Sequence, residues 1–262
     1  MRKVVLFAVI ISILSACSTG RKPTQPTPPV SVAPPAETEQ QILARIPKPI
    51  GSFGTAKKKL YNKIYKGHQR TLYCDCKFTT TGKVYLGSCG VDSRKNERRA
   101  KQLEAEHVFP AYHMGQNRAC WTQKLCTNSK GEPFKGRKCC EKQDKVFRVA
   151  HNDLHNLYPA VGEINGDRSN YKFGMIAGEK RAYGQCDFEV DKEAKRAEPP
   201  ENVRGNIART YFYMSKTYNM PISKQQRQMF EAWNKSDPVD DWERERNQRI
   251  EKLQGNKNPY IK

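Results

Sequence analysis

The chain has 262 residues, 37% of them hydrophobic and 28% charged, so it is long enough and apolar enough to build a packed core rather than remain wholly disordered. Lysine and arginine total 47 against 27 acidic residues. The resulting formal charge of +20 points to a polyanionic partner, nucleic acid or an acidic membrane surface, and does not choose between them.

At the N-terminus, Arg2 and Lys3 precede an apolar run from Val4 to Leu14 that is too short to span a bilayer comfortably, so residues 1–16 read as an export signal. Its end, Leu14-Ser15-Ala16-Cys17, resembles the lipobox of bacterial lipoproteins. That resemblance implies cleavage before Cys17, diacylation of Cys17 and a lipid anchor in the cell envelope; the alternative is an ordinary secretory signal with an incidental cysteine. Ser18 after Cys17 favours the outer membrane, with the body in the periplasm or at the cell surface. Prolines at 23, 26, 28, 29, 34 and 35 make residues 21–36 an extended polyproline tether. The expected organisation is therefore a signal over 1–16, a lipidated cysteine and tether over 17–36, and a folded domain over 37–262.

Eight further cysteines, at 74, 76, 89, 120, 126, 139, 140 and 186, suit an exported protein with as many as four disulfides. Zinc is the competing reading, but Cys74-x-Cys76 and the adjacent Cys139-Cys140 lack the usual ligand spacing. The sequence leaves the pairing open, although Cys126 and Cys139 bracket a glycine- and lysine-rich stretch suited to being stapled to itself.

Beyond the tether the chain divides into a strand-rich first part and a helical last part. Leu60, Tyr61, Ile64 and Tyr65 have the spacing of a short helix over 57–65. Arg70–Cys74 and Lys83–Gly87 read as two strands joined by a turn at Thr79–Gly82. Three helices follow near the C-terminus. The first places Val203, Ile207, Tyr211, Met214 and Tyr218 inward and ends at Asn219; the second opens at Ser223 and buries Met229, Phe230 and Trp233. The last follows Asp237-Pro238, turns Val239 and Trp242 inward and stops at Gly255. Arg204, Arg209, Lys216, Arg227, Arg244, Arg246 and Arg249 are expected on the outer faces. The fold class expected is α+β, a small antiparallel sheet and hairpin surrounded by helices.

Histidine, carboxylate and amide groups concentrate in Glu104-Ala-Glu-His-Val-Phe-Pro-Ala and in the segment Asp153–Arg168, with His107, His113 and His155 in or beside them. A histidine on its own beside aliphatic residues is more often packed and hydrogen-bonded than catalytic. Together these groups supply what phosphodiester hydrolysis needs: a base near neutrality, oxygen donors for a divalent cation, and cations to hold the phosphate.

The chain resembles the bacterial endonuclease I family, periplasmic and secreted nucleases with a ββα-metal (His-Me finger) site. The likeness rests on Glu106-His-Val-Phe-Pro-Ala, Gly136-Arg-Lys, Asp153-Leu-His-Asn-Leu-Tyr-Pro-Ala-Val-Gly-Glu-Ile-Asn-Gly-Asp-Arg-Ser-Asn and Arg204-Gly-Asn-Ile-Ala-Arg-Thr-Tyr-Phe-Tyr-Met-Ser. It extends through Gln228-Met-Phe-Glu-Ala-Trp and Gln254-Gly-Asn-Lys-Asn-Pro-Tyr, covering about residues 52 to 261. The resemblance implies His107 as general base, Glu106 and Asn165 as ligands of magnesium (with manganese or calcium as substitutes) and Arg137 as the arginine on the scissile phosphate. It also implies cleavage of DNA and RNA to 5′-phosphate products with little sequence preference, by a monomer. Between Cys120 and Cys140 the sequence departs from the family pattern: the extra residues contain Cys126 and Cys139, and the bridge expected near the C-terminus lacks its cysteines.

Two geometric expectations follow. On a continuous helix Asn156 and Asn165 face opposite ways, so only one ligates directly; the resemblance selects Asn165 and leaves Asn156 a structural hydrogen-bonding role. Glu106 and His107 are neighbours, so both reach one site only at a bulge or strand end. The competing readings are a lipoprotein that binds DNA without turnover, and an envelope protein whose charge meets anionic polymers or lipids.

Overall fold

The computed structural model describes residues 37–178 and 180–262; the signal, Cys17 and the proline tether lie outside them. Helix α1 (Glu39–Arg45) starts at Thr38, whose side chain and that of Gln41 cap each other's backbone, and it buries Ile42. Ser52 caps α2 (Phe53–Lys59), which runs on through a π-helical turn over Leu60–Ile64; Leu60, Tyr61, Ile64 and Tyr65 are buried, as their spacing predicts.

The hairpin is real but its first strand is displaced. Strand β1 (Lys77–Phe78) pairs antiparallel with β2 (Val84–Tyr85), while Arg70–Cys74 forms no strand and contributes a bridge at Arg70 and one hydrogen bond from Leu72 N–H to the Pro159 carbonyl. Its weak alternation is overridden locally: Cys74 and Cys76 leave in disulfides to Cys186 and Cys89, and Asp75 between them sits at φ 51°, a left-handed turn that breaks extended chain.

Next come α3 (Glu97–Ala100), β3 (Leu103–His107), α4 (Ala111–Gly115), α5 (Ala119–Thr122), β4 (Cys126–Thr127), β5 (Pro133–Phe134), α6 (Arg137–Gln143) and α7 (Lys145–His151). Cys126–Cys139 staples the β4–β5 hairpin to α6, as its bracketing cysteines suggested, and Cys120–Cys140 ties α5 to the same helix. The eight cysteines among the described residues are all paired.

The element that organises the molecule is a two-stranded ribbon followed directly by a helix. Strand β6 (Leu157–Val161), buried along its whole length, pairs antiparallel with β3 in unbroken register from Leu103↔Val161 to His107↔Leu157, and leads into α8 (Gly162–Arg168). Gly162 makes that turn possible: a Cβ there would lie 2.5 Å from the Arg99 carbonyl oxygen and 2.9 Å from that of Gln102. Asn156 and Asn165 therefore belong to different elements, and the continuous-helix premise does not apply.

A mixed three-stranded sheet of β7 (Lys172–Phe173), β8 (Glu189–Asp191) and β9 (Arg196–Glu198), in the order β7-β9-β8, puts strands later in the chain than the sequence suggests. The C-terminal helices are α9 (Arg204–Tyr218), α10 (Lys224–Ser236) and α11 (Asp241–Gln254). Their ends follow the expected chemistry: Asn219 and Gly255 close α9 and α11 in left-handed conformation, and Ser223 and Asp240 cap α10 and α11. Ile207, Tyr211, Met214, Tyr218, Phe230 and Trp233 are buried as expected, with Val239 and Trp242 half-buried.

Two arginines assigned to outer faces point inward instead. Arg209, 1% exposed, pairs with Glu243, and Arg246, also 1% exposed, stacks over Tyr158 at 3.8 Å and donates to the carbonyls of Leu154 and Leu157. The buried Arg209 guanidinium is tolerable because a carboxylate and a carbonyl take up its donors, and that of Arg246 because it bonds two carbonyls and stacks on a ring. The result is a mixed α+β fold of small sheets set among helices.

Candidate active site

The end of β3 opens into a cavity of about 710 Å³ lined by Phe53 and Lys57 of α2, Glu104, Glu106 and His107 of β3, Tyr112 of α4, Arg137 of α6, and Asn165 and Arg168 of α8. Glu106, His107, Asn165 and Arg137, widely separated in sequence, are thus brought to one place. Arg137, the position nearest the extra residues, sits at the start of α6 with its side chain exposed and two residues before the Cys126–Cys139 staple.

The strand shows no bulge at Glu106-His107, correcting the first half of that expectation; the second half holds, because His107 is the last residue of β3. Beyond it the chain is re-aimed by side chains. The Arg168 guanidinium donates to the Glu106 carboxylate at 2.8 Å, to the His107 carbonyl at 2.8 Å and to the Val108 carbonyl at 2.7 Å. Buried Asn156 accepts from Phe109 N–H at 2.7 Å and donates to the Phe109 carbonyl at 3.0 Å, the structural role expected of it.

His107 is buried with its ring stacked on Phe53, centroids 5.1 Å apart, and lying 4.6 Å from the His151 ring. Its Nε2 lies 2.8 Å from the His151 carbonyl oxygen. A carbonyl only accepts, so Nε2 carries the proton and Nδ1 is left with a lone pair. Burial holds the His107 pKa well below the ordinary value, helped by the His151 ring, Arg137 and Arg168 and opposed by the bond to the His151 carbonyl. The imidazole is therefore neutral at physiological pH, the form a general base requires.

Glu106 is buried beside Tyr73, whose hydroxyl donates to it at 2.7 Å; this bond and that from Arg168 both fall on Oε1. Burial raises the Glu106 pKa and Arg168 opposes it. Across the cavity Asn165 donates through Nδ2 to Glu104 at 2.8 Å, and Glu104 is itself gripped twice by Arg99. The Asn165 amide is thereby oriented, and its Oδ1 accepts no hydrogen bond among the described residues. Glu106 Oε2 and Asn165 Oδ1 are oxygen donors of the kind hard divalent cations take, in a cavity also lined by Lys57, Arg99, Arg137 and Arg168.

The remaining flagged histidines are structural. His113 Nε2 bonds the Asn170 carbonyl, while His155 bonds the Asn256 carbonyl and packs 4.6 Å from Tyr213. Sequence reasoning missed Phe53, Lys57, Tyr73, Tyr112 and the clamping role of Arg168. Only Arg168 carried a signal, since it closes the Asp153–Arg168 segment, but its partners lie about 60 residues earlier.

The family model described as Endonuclease I matches residues 52–262. An extracellular deoxyribonuclease of Aeromonas hydrophila is 44% identical over 223 residues, covering 84% of this chain and 92% of that protein. A periplasmic deoxyribonuclease of the same organism is 44% identical over 203 residues, 76% of this chain and 81% of its own. An extracellular ribonuclease of Bacillus subtilis (strain 168) is 34% identical over 128 residues, 42% of this chain and 43% of that one.

Proposed function

The chain belongs to the endonuclease I family, and from that premise we propose that it is a divalent-metal-dependent endonuclease hydrolysing DNA, and RNA as well, to 5′-phosphate products. In this reading β3, β6 and α8 form the ββα-metal core, with His107 as general base, Glu106 and Asn165 as metal ligands, and Arg137 on the scissile phosphate. The observation that carries it is the bond from His107 Nε2 to the His151 carbonyl, which leaves a lone pair on Nδ1 of a residue that lines one cavity with Glu106, Asn165 and Arg137.

His107 Nδ1 takes a proton from a water as that water's oxygen attacks phosphorus. The bond from phosphorus to the 3′ oxygen breaks, leaving the phosphate on the 5′ side, and the departing oxygen takes a proton from solvent. The Arg137 fork binds non-bridging phosphate oxygens and, being permanently charged, holds them through the rise in negative charge. Glu106 and Asn165 would hold magnesium, which when bound would supply Lewis-acid neutralisation of charge on the phosphate and the leaving oxygen. The exposed position of Arg137 fits backbone recognition, which is indifferent to base sequence.

DNA as a substrate rests on the relatives named deoxyribonucleases, and RNA on the shorter match to one named a ribonuclease. Their names also support export, to the periplasm or beyond, and four disulfides suit that compartment. A leader over 1–16, a lipid on Cys17 and a proline tether before the folded domain at 37–262 complete the proposal. The test is incubation of the purified protein with supercoiled plasmid and structured RNA. Cleavage of both with magnesium, stopped by chelator and restored by added metal, is expected; retention of intact plasmid with no cutting under any metal would make the protein a nucleic-acid binder without turnover.

A further inference from the structure

Tyr112 stands at the mouth of the catalytic cavity, 40% exposed, among the residues that also present Lys57, Arg99 and Arg137 to it. The other aromatic ring there, Phe53, is already engaged: it stacks on His107, and the Lys57 ammonium sits 5.3 Å from its centroid. Tyr112 meets its two ring neighbours steeply, His113 at 76° and Trp121 at 79°, so no ring lies parallel to it among the described residues. It is nevertheless well supported. Trp121 packs 5.9 Å from Phe147 and occupies space that only glycine leaves at position 115, where a Cβ would fall 2.1 Å from the indole.

A supported, solvent-facing ring that shares a cavity with cations is a combination by which proteins hold single strands, the cations meeting phosphates while the ring receives a base. Every base has a π-face, so such a contact adds grip without sequence preference. We propose that Tyr112 stacks on the nucleobase next to the scissile phosphate. It is then a substrate-binding residue that favours a nucleotide free to leave its own stack, and unpaired strands are cut at lower concentration than duplex. The proposal deepens, and rests on, the nuclease reading above.

The experiment is cleavage, with magnesium, of end-labelled single-stranded oligonucleotides in which one position at a time is abasic. With the unaltered protein, cutting at the bond flanking the abasic sugar is expected to fall about tenfold while the other bonds are cut as before. Tyr112→Ala should cut all bonds alike, with KM raised about tenfold and kcat little changed; Tyr112→Phe and Tyr112→Trp should keep the original pattern. Indifference of the unaltered protein to every abasic position, or an unchanged KM in Tyr112→Ala, would overturn the stacking role while leaving the nuclease reading standing. A protein that cuts no oligonucleotide with any metal would overturn that reading and this proposal with it.

Discussion

The guanidinium of Arg168 ties three groups at the end of β3, the Glu106 carboxylate and the carbonyls of His107 and Val108, from a side chain 1% exposed. Replacing it with methionine leaves Glu106 buried without its cation, so Arg168→Met should lose about 3–5 kcal/mol of stability in urea unfolding, with cleavage falling as His107 is released. Stability within about 1 kcal/mol of the parent would show that Glu106 does not depend on the pair. His155 makes a second prediction. Burial lowers its pKa from 6.5 to about 4. The unfolded chain therefore binds the extra proton first, so stability present above pH 6.5 is lost as pH falls towards 4, by about 2 kcal/mol between pH 7 and 5. Urea midpoints should drop over that interval and drop less in His155→Phe; an equal drop in both would assign the acid sensitivity elsewhere. At this scale the sequence singled out His107, Glu106, Asn165 and Arg137 through local motifs, and the fold brings these four to one cavity. Arg168 and Tyr73 were not, since what they do depends on partners that only folding brings near.

Among elements, the helices were the most legible. Serine, asparagine and glycine at their ends and apolar residues at intervals of three and four determine α9, α10 and α11 with little help from the rest of the chain. The Arg70–Cys74 strand failed because a two-residue periodicity is weak beside two disulfides and a left-handed Asp75. Arg209 and Arg246 were placed outside because charge was taken to mean solvent; Glu243, Tyr158 and two carbonyls supply buried partners that no periodicity reveals. The β4–β5 hairpin gives the element-scale prediction. Its bridge joins Cys126 to Cys139, two residues past Arg137 and 13 apart in sequence. Cys126→Ser with Cys139→Ser should cost about 3 kcal/mol by freeing that loop in the unfolded chain. KM should rise as the start of α6 loosens around Arg137. An unchanged melting temperature and KM would mean that the neighbouring Cys120–Cys140 bridge holds α6 without help.

For the whole molecule, the charge of +20 includes only Arg2, Lys3, Arg21 and Lys22 before Glu37, with no acidic residue among them, so +16 belongs to residues 37–262. Composition thus narrowed the partner to a polyanion before any motif was considered, and the fold concentrates Lys57, Arg99, Arg137 and Arg168 around one cavity. Binding to DNA should accordingly weaken linearly in log Kd against log salt, whereas hydrolysis depends on a separate proton transfer. That separation is tested most directly by His107→Ala on a DNA duplex with saturating magnesium, following binding and single-turnover cleavage together. The expected result is salt-sensitive binding within about threefold of the parent and cleavage slowed by about 10²- to 10⁴-fold. Cleavage at the parental rate would contradict the assignment of His107 as the base.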